Sequence, residues 1–239
     1  MNRGMYPVMA GAITQERQME LLAHNIGNIH TSGFKKDEAV FGTILARSVG
    51  PRVAGIDMFP QVATVRPDFT QGTLRYTGHE MDVALEGEGF FVVRTAVGER
   101  HYRGGQFQIN KDGNLAAYTG DPILGEDGPI NMPDGPLAID KNGAVYVGKR
   151  VIGTLRVEKL PPNEVPIKAG DLFWVAPGSA IPVKNVRIHQ RSVEQANVNP
   201  SMELVNMIKV TRGYEQMQKA IQAMDDLTGQ IIQSSRVQG

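Results

Sequence analysis

NPSMELVNMIKVTRGYEQMQKAIQAMDDLTGQIIQSSR, residues 199–236, is the stretch on which the reading of the fold turns. Met207, Val210, Tyr214, Met217, Ile221, Met224, Thr228 and Ile231 recur at alternating steps of three and four. That is the a/d spacing of a helix laid along another helix. Asn199 suits the N-cap and Pro200 the first helical position, where a missing N–H costs nothing. At about 1.5 Å per residue such a helix runs roughly 50 Å, too long for a chain of this size to cover by itself. An ordinary amphipathic core helix would carry the same stripe, so the other end of the chain has to decide.

Met5, Val8, Ala12, Gln15, Met19, Leu22, Ile26 and Ile29 repeat the alternation near the N-terminus. Pro7 fits a first turn, and Gly27 and Gly33 mark where the helix fails. Two heptad-spaced terminal helices flanking a non-helical middle predict that the two ends pair. Met1, Met5, Met9, Met19, Met202, Met207, Met217 and Met224 place most of the 11 methionines in these segments. Methionine adapts to uneven contacts, which suits a surface packed against non-identical neighbours, though it is also simply a good helix former. Arg3, a short apolar run and Ala10-Gly11-Ala12 imitate a secretory leader. The heptad register continues through that cleavage point, so these residues are expected to be retained. No stretch reaches the roughly 20 apolar residues of a membrane span.

Charge is balanced, 25 basic against 25 acidic residues in 239, so no bulk field favours nucleic acid or an anionic membrane. Cysteine is absent, which excludes disulfides and thiolate chemistry. The 27 Gly and 14 Pro announce many turns.

After Gly33, residues 34–45 (FKKDEAVFGTIL) read as a short helix or a packed extension of the first one, and Val62–Val65 as a short strand. From Met81 to Tyr146 the pattern turns to β. Val83-Ala84-Leu85 and Phe90-Phe91-Val92-Val93 are strand-like runs separated by Gly87-Glu88-Gly89. Asp112-Gly113, Asp127-Gly128, Asp134-Gly135 and Asn142-Gly143 supply the positive φ of tight turns. Residues 109–115 (INKDGNL) and 139–145 (IDKNGAV) echo one another, predicting two hairpins of one antiparallel domain. Val151–Val157 and Val183–Arg191 read as later strands.

The expected fold class is α+β, with long N- and C-terminal helices paired as a coiled-coil-like stalk and an inserted antiparallel β domain. The expected division is 1–33 with 198–239 as the terminal helical domain, 34–75 with 180–197 as connecting segment, and 76–179 as the β-rich domain.

Chemistry is sparse. His24, His30, His79, His101 and His189 are scattered without metal-ligand spacing, so no metal site is expected. Gly78-His79-Glu80-Met81-Asp82 lacks the second histidine of a zincin helix. Gly87-Glu88-Gly89 lacks the third glycine of a dinucleotide loop, and Lys111-Asp112-Gly113-Asn114 lacks the acidic ladder of a calcium loop. Glu86 and Glu88 fall on one side of an extended chain, but nothing around them in the sequence suggests a substrate cleft. Neither a catalytic residue nor a cofactor is expected.

Three stretches then carry a resemblance. Residues 25–35 (NIGNIHTSGFK), residues 82–93 (DVALEGEGFFVV) with Arg103, Gly105 and Phe107 following, and Asn197-Val198-Asn199-Pro200 with Glu203, Val205, Ile208, Arg212, Tyr214 and Glu215 resemble, in order and spacing, the signatures of bacterial flagellar rod and hook proteins. The chain length and the segment Leu124–Ile130 are most similar to the FlgF/FlgG rod group, its proximal member before its distal one. The residues matching the family's motifs are Asn25, Asn28, Gly33, Phe34, Asp82, Gly87, Gly89, Phe90, Asn197, Asn199, Glu203 and Tyr214. His24, Gly27, His30 and Ser32 depart from the commoner Asn, Ala, Asn and Pro or Asn.

The resemblance implies a structural subunit that assembles helically into the hollow drive shaft of the flagellar basal body and transmits torque to the hook. The implied partners are copies of itself, other rod proteins and the flagellar type III export apparatus, with no nucleic acid and no membrane span. It implies a periplasmic rod position reached without a cleaved leader, and chain ends that order on assembly. The subunit interface is expected at Met5, Val8, Ala12, Met19, Leu22, Ile26, Met207, Val210, Tyr214, Met217, Ile221, Met224 and Ile231. A distal-rod or hook-type subunit remains open. So does a β-rich adhesin or ligand-binding protein on a helical stalk, which would be a compact monomer.

Overall fold

The computed structural model describes residues 5–47, 56–162, 164–183 and 187–237. The chain forms two compact units. Unit 1 comprises Met1–Gly27, Asp37–Asp68 and Asn199–Gly239, and unit 2 comprises Asn28–Lys36 and Phe69–Val198.

In unit 1, α1 (Met5–Gly27) and α2 (Pro200–Val237) are joined by a long antiparallel hairpin of β1 (Asp37–Arg47) and β2 (Ile56–Pro67). Asn199 caps α2, its Oδ1 accepting from the amides of Ser201 at 3.1 Å and Met202 at 3.3 Å. The hairpin runs in register from Asp37↔Pro67 to Arg47↔Ile56, with one bulge between Val40 and Phe41. The helix expected over residues 34–45 is therefore corrected to strand. Val40, Phe41, Thr43 and Ile44 are β-branched or aromatic and favour extended backbone. The Val62–Val65 strand is part of the longer β2.

Helices α1 and α2 touch in antiparallel sense. A Cβ on Gly11 would lie 2.9 Å from the Sδ of Met217, one on Gly213 3.4 Å from the Gln15 side chain, and Thr211 Oγ1 is 3.6 Å from Met19 Sδ. The expected fold class is nonetheless corrected. Among the described residues there are two helices and nineteen strands, so the molecule is mostly antiparallel sheet rather than a coiled-coil-like stalk of paired long helices bearing an insert. The helices are unequal, 23 residues against 38, and α1 also packs on the β1–β2 hairpin. Heptad spacing specifies an apolar face; it does not specify that one partner covers it end to end.

Unit 2 begins with β3 (Leu74–Tyr76), β4 (Val83–Glu86), β5 (Phe90–Thr95), β6 (Gly98–Tyr102), β7 (Phe107–Ile109) and β8 (Leu115–Ala117). After β9 (Leu124–Gly125) and β10 (Gly128–Pro129) come β11 (Leu137–Ile139), β12 (Ala144–Val147), β13 (Arg150–Thr154) and β14 (Val157–Lys159). The last strands are β15 (Ile167–Ala169), β16 (Leu172–Trp174), β17 (Ile181–Pro182), β18 (Arg187–Gln190) and β19 (Ser192–Glu194). The largest sheet has the order β15-β16-β6-β5-β14-β17. β18 returns to pair with β4, and β19 with β3, so the ends of the unit close on one another.

Alternation along β5 explains the core. Phe91 and Val93 join Val83, Leu85, Tyr102, Leu115, Ile123 and Val157 in one buried cluster. Phe90, on the opposite face, sits edge-on to Phe69 and Phe173 with centroids 5.4–5.5 Å apart. The two echoing segments form matching turns. Asn110 Oδ1 accepts from the amides of Asp112 and Asn114, and Asp140 Oδ1 from those of Asn142 and Ala144. One asparagine or aspartate thus orders each hairpin through the same pair of bonds.

Candidate functional site

The helices of unit 1 carry the first candidate surface. Of the positions expected at a subunit interface, Ala12 is buried, and Val8, Met19, Leu22, Ile26, Met207, Val210, Tyr214, Met217, Ile221 and Met224 are half-buried. The side chains of Met5 and Ile231 lie outside the described residues. A second set of apolar side chains stands more exposed: Met9 and Ile13 on α1, and Met202, Leu204, Val205 and Ile208 on α2, between 45% and 56%. The heptad count passes over these, although Leu204 and Ile208 (i, i+4) and Val205 and Ile208 (i, i+3) share one side of α2. Gly11 was also passed over, and it is the close contact of α1 with Met217.

The motif residues have structural duties. Asn25 Nδ2 donates to the Asp37 carbonyl at 2.9 Å while its Oδ1 accepts from the Asp37 amide at 2.8 Å, so one side chain fixes the start of β1. Asn28 accepts from Thr31 in the turn after α1. Asp82 accepts from Thr77 Oγ1 at 2.6 Å and holds the Arg191 amide through its carbonyl. Glu203 is buried and Tyr214 half-buried on α2.

The remaining motif residues converge on a cluster that local spacing does not announce. Glu194, 1% exposed, accepts from Lys35 Nζ at 2.7 Å and the Gly72 amide at 2.7 Å on Oε1, and from Arg103 Nε at 2.5 Å on Oε2. Lys35 also donates to the Thr70 carbonyl. Arg103 donates onward to the carbonyls of Leu85, Gly87 and Gly89 and lies over the Phe90 ring. Gly87 and Gly89 have φ of 95° and 148°, a backbone that side chains resist, and this is what turns three carbonyls onto one guanidinium. The Gly-Glu-Gly run is therefore a cradle for Arg103. Gly33 donates its amide to the Glu194 carbonyl, Phe34 is buried beneath Lys168, and Asn197 accepts from the Lys36 amide and donates to Thr70. Of the three charged residues, Lys35 and Arg103 fall in or beside the motif stretches and Glu194 in none of them; it stands 159 and 91 positions from its two partners.

Several other carboxylates are paired with cations. A hydrogen bond from His189, then the charge of Arg187, hold the Glu86 carboxyl below its ordinary 4.5, and Lys159 does the same for Glu88. These carboxylates are exposed and stay ionised, the opposite of what a general acid requires. Glu158, buried at 5% exposure, is also held low, first by its hydrogen bond from His101 and then by Arg156. Among the described residues, no group of three or more His, Asp or Glu side chains is placed to hold a metal ion, and no helix is long and apolar enough to cross a membrane.

Residues 84–147 match the family described as the flagellar hook protein FlgE/F/G D1 domain, and residues 189–234 that of the flagellar basal body rod FlgEFG protein C-terminal. The flagellar basal-body rod protein FlgF of Caulobacter vibrioides is 30% identical, over 98% of this chain and 97% of its own length. FlgG of Agrobacterium fabrum is 30% identical over 94% and 96% of the two chains. FlgF of Salmonella typhimurium is 28% identical over 98% of each.

Proposed function

The chain belongs to the FlgF/FlgG family of flagellar basal-body rod proteins, and from that premise we propose that it is the proximal-rod member. In this reading copies assemble helically with other rod proteins into a hollow shaft that carries torque towards the hook. The residues 1–33 and 198–239 form its inner wall, residues 76–179 face outwards, and residues 34–75 with 180–197 connect them. The chain acts without catalysis, reaches the periplasm through the flagellar type III export apparatus, and keeps its N-terminus.

One observation carries this reading. Among the unit 1 side chains that the structure describes, which leave out those of residues 43–63, Ala12 is the single buried hydrophobic, while apolar side chains line the exposed sides of both helices. Unit 1 leaves apolar surface for neighbours to cover, and head-to-tail packing of identical subunits builds an open helical array. Half-buried Ile221 lies mid-way along α2. Ile221→Asp is expected to leave the melting of unit 2 unchanged and to abolish incorporation into purified basal bodies. Normal incorporation and motility with this variant would refute the interface.

A further inference from the structure

We infer that the Lys35–Glu194–Arg103 cluster is a mechanical clasp, through which force drawn along the first and last of the four chain crossings, after Gly27 and before Asn199, enters unit 2. This rests on the torque-carrying reading above. Lys35 lies on the segment that follows α1, and Glu194 on the one that precedes α2. The Gly33 amide bonds the Glu194 carbonyl at 2.7 Å, the Asn197 amide bonds the Phe34 carbonyl at 3.4 Å, and Lys36 bonds Asn197 Oδ1 at 2.8 Å. Positions rise together on both segments, so they run side by side in one direction. Pulling Asn28 and Val198 apart therefore shears all of these bonds at once rather than unzipping them singly.

Glu194 ties these segments to the rest of unit 2. Its carboxylate joins the incoming segment (Lys35), the stretch before β3 (Gly72) and the end of β6 (Arg103), while Arg103 carries the link on to the β4–β5 loop. All three charged side chains are at most 3% exposed. The two cations also donate to the carbonyls of Thr70, Leu85, Gly87 and Gly89. Well-packed apolar residues of similar volume often replace a buried ion pair at no loss of stability. What they lack is direction: charge-assisted bonds are short, oriented and about twice as strong as neutral ones. A joint that must not slide needs that property more than a core does. Backbone approach is correspondingly tight, since a Cβ on Gly72 would lie 2.0 Å from the Gln195 carbonyl oxygen.

The absence of cysteine allows thiol handles at chosen sites for single-molecule pulling on the full chain. Handles at His30 and Ser201 draw on the segments at the first and last crossings; handles at exposed Val97 and Lys149 load unit 2 elsewhere. Glu194→Gln is expected to reduce the rupture force roughly twofold in the first geometry and to alter it little in the second. Lys35→Met, which keeps volume and removes one cation, gives the same direction-dependent loss and serves if Glu194→Gln does not fold. Equal losses in both geometries would make the cluster ordinary core, and no loss in the first would dismiss the clasp. Incorporation of the wild-type chain into basal bodies is scored separately. Failure there sinks the rod reading and leaves the pulling result standing.

Discussion

Units 1 and 2 of one chain solve the burial problem in opposite ways. Unit 2 encloses Val83, Phe91, Val92, Val93, Leu115, Ile123 and Val145 at 0% exposure. Unit 1, with more helix, buries the small side chain of Ala12 and leaves Met9, Ile13, Leu204 and Ile208 largely in solvent. Burial stabilises at about 25 cal/mol per Å² of apolar surface, so unit 2 gains that energy within the chain. Under the proposed rod assembly, unit 1 would gain much of it only once neighbours cover its helices, so that one part folds alone and the other is completed by its neighbours.

The comparison can be broken most directly in unit 2. Phe91 is fully buried and meets Phe107 edge-on at 5.1 Å. Phe91→Ala removes that contact and is expected to destabilise unit 2 by about 3–5 kcal/mol, lowering its melting temperature by roughly 10 °C or more. The single tryptophan, Trp174, lies in unit 2 and reports on it by fluorescence, whereas ellipticity at about 222 nm follows mainly the two helices of unit 1. The fluorescence transition is expected to shift and the ellipticity transition to stay. Both moving together would mean one cooperative unit instead of two.

A smaller effect sharpens the picture of what unit 2 tolerates inside. The Glu158 carboxyl is held low by His101 and Arg156. A lowered carboxylate contributes stability that is present above its unfolded-state value and lost as pH falls through the folded-state one. Unit 2 is therefore expected to lose melting temperature as pH drops below about 4.5, and Glu158→Gln to flatten that loss relative to wild type. Identical pH profiles for the two proteins would remove Glu158 from the account.

What could be read from sequence divides along the same line. Local signals were legible: Asn142-Gly143 and Asp112-Gly113 imply turns because positive φ is decided within two residues, and Asn199-Pro200 opens a helix for reasons confined to one turn. Residues 34–45 misled because Val40, Phe41, Ile44 and Leu45 fall at helical steps while their β-branched and aromatic character favours strand. The heptad stripe declared an apolar face but not how much of it a partner would cover, so a stalk was expected where the structure is mostly sheet. Lys35, Arg103 and Glu194 were opaque as a set. They meet across 91 and 159 positions, and no spacing rule reaches that far.

The smallest expected effect on the monomer is the sharpest test of the contrast. Ile208 on α2 is 54% exposed, beside Leu204 and Val205 on the same side of the helix. Ile208→Ser removes an apolar side chain from solvent-facing surface, so monomer stability should change by no more than about 0.5 kcal/mol. If that side is covered in the rod, the same change removes buried area there and should lower incorporation into basal bodies severalfold. A clear drop in the monomer's melting temperature would show that the side is already covered within the chain. Unchanged incorporation would show that neighbours do not use it, and the exposed apolar side chains of the two helices would then need another explanation.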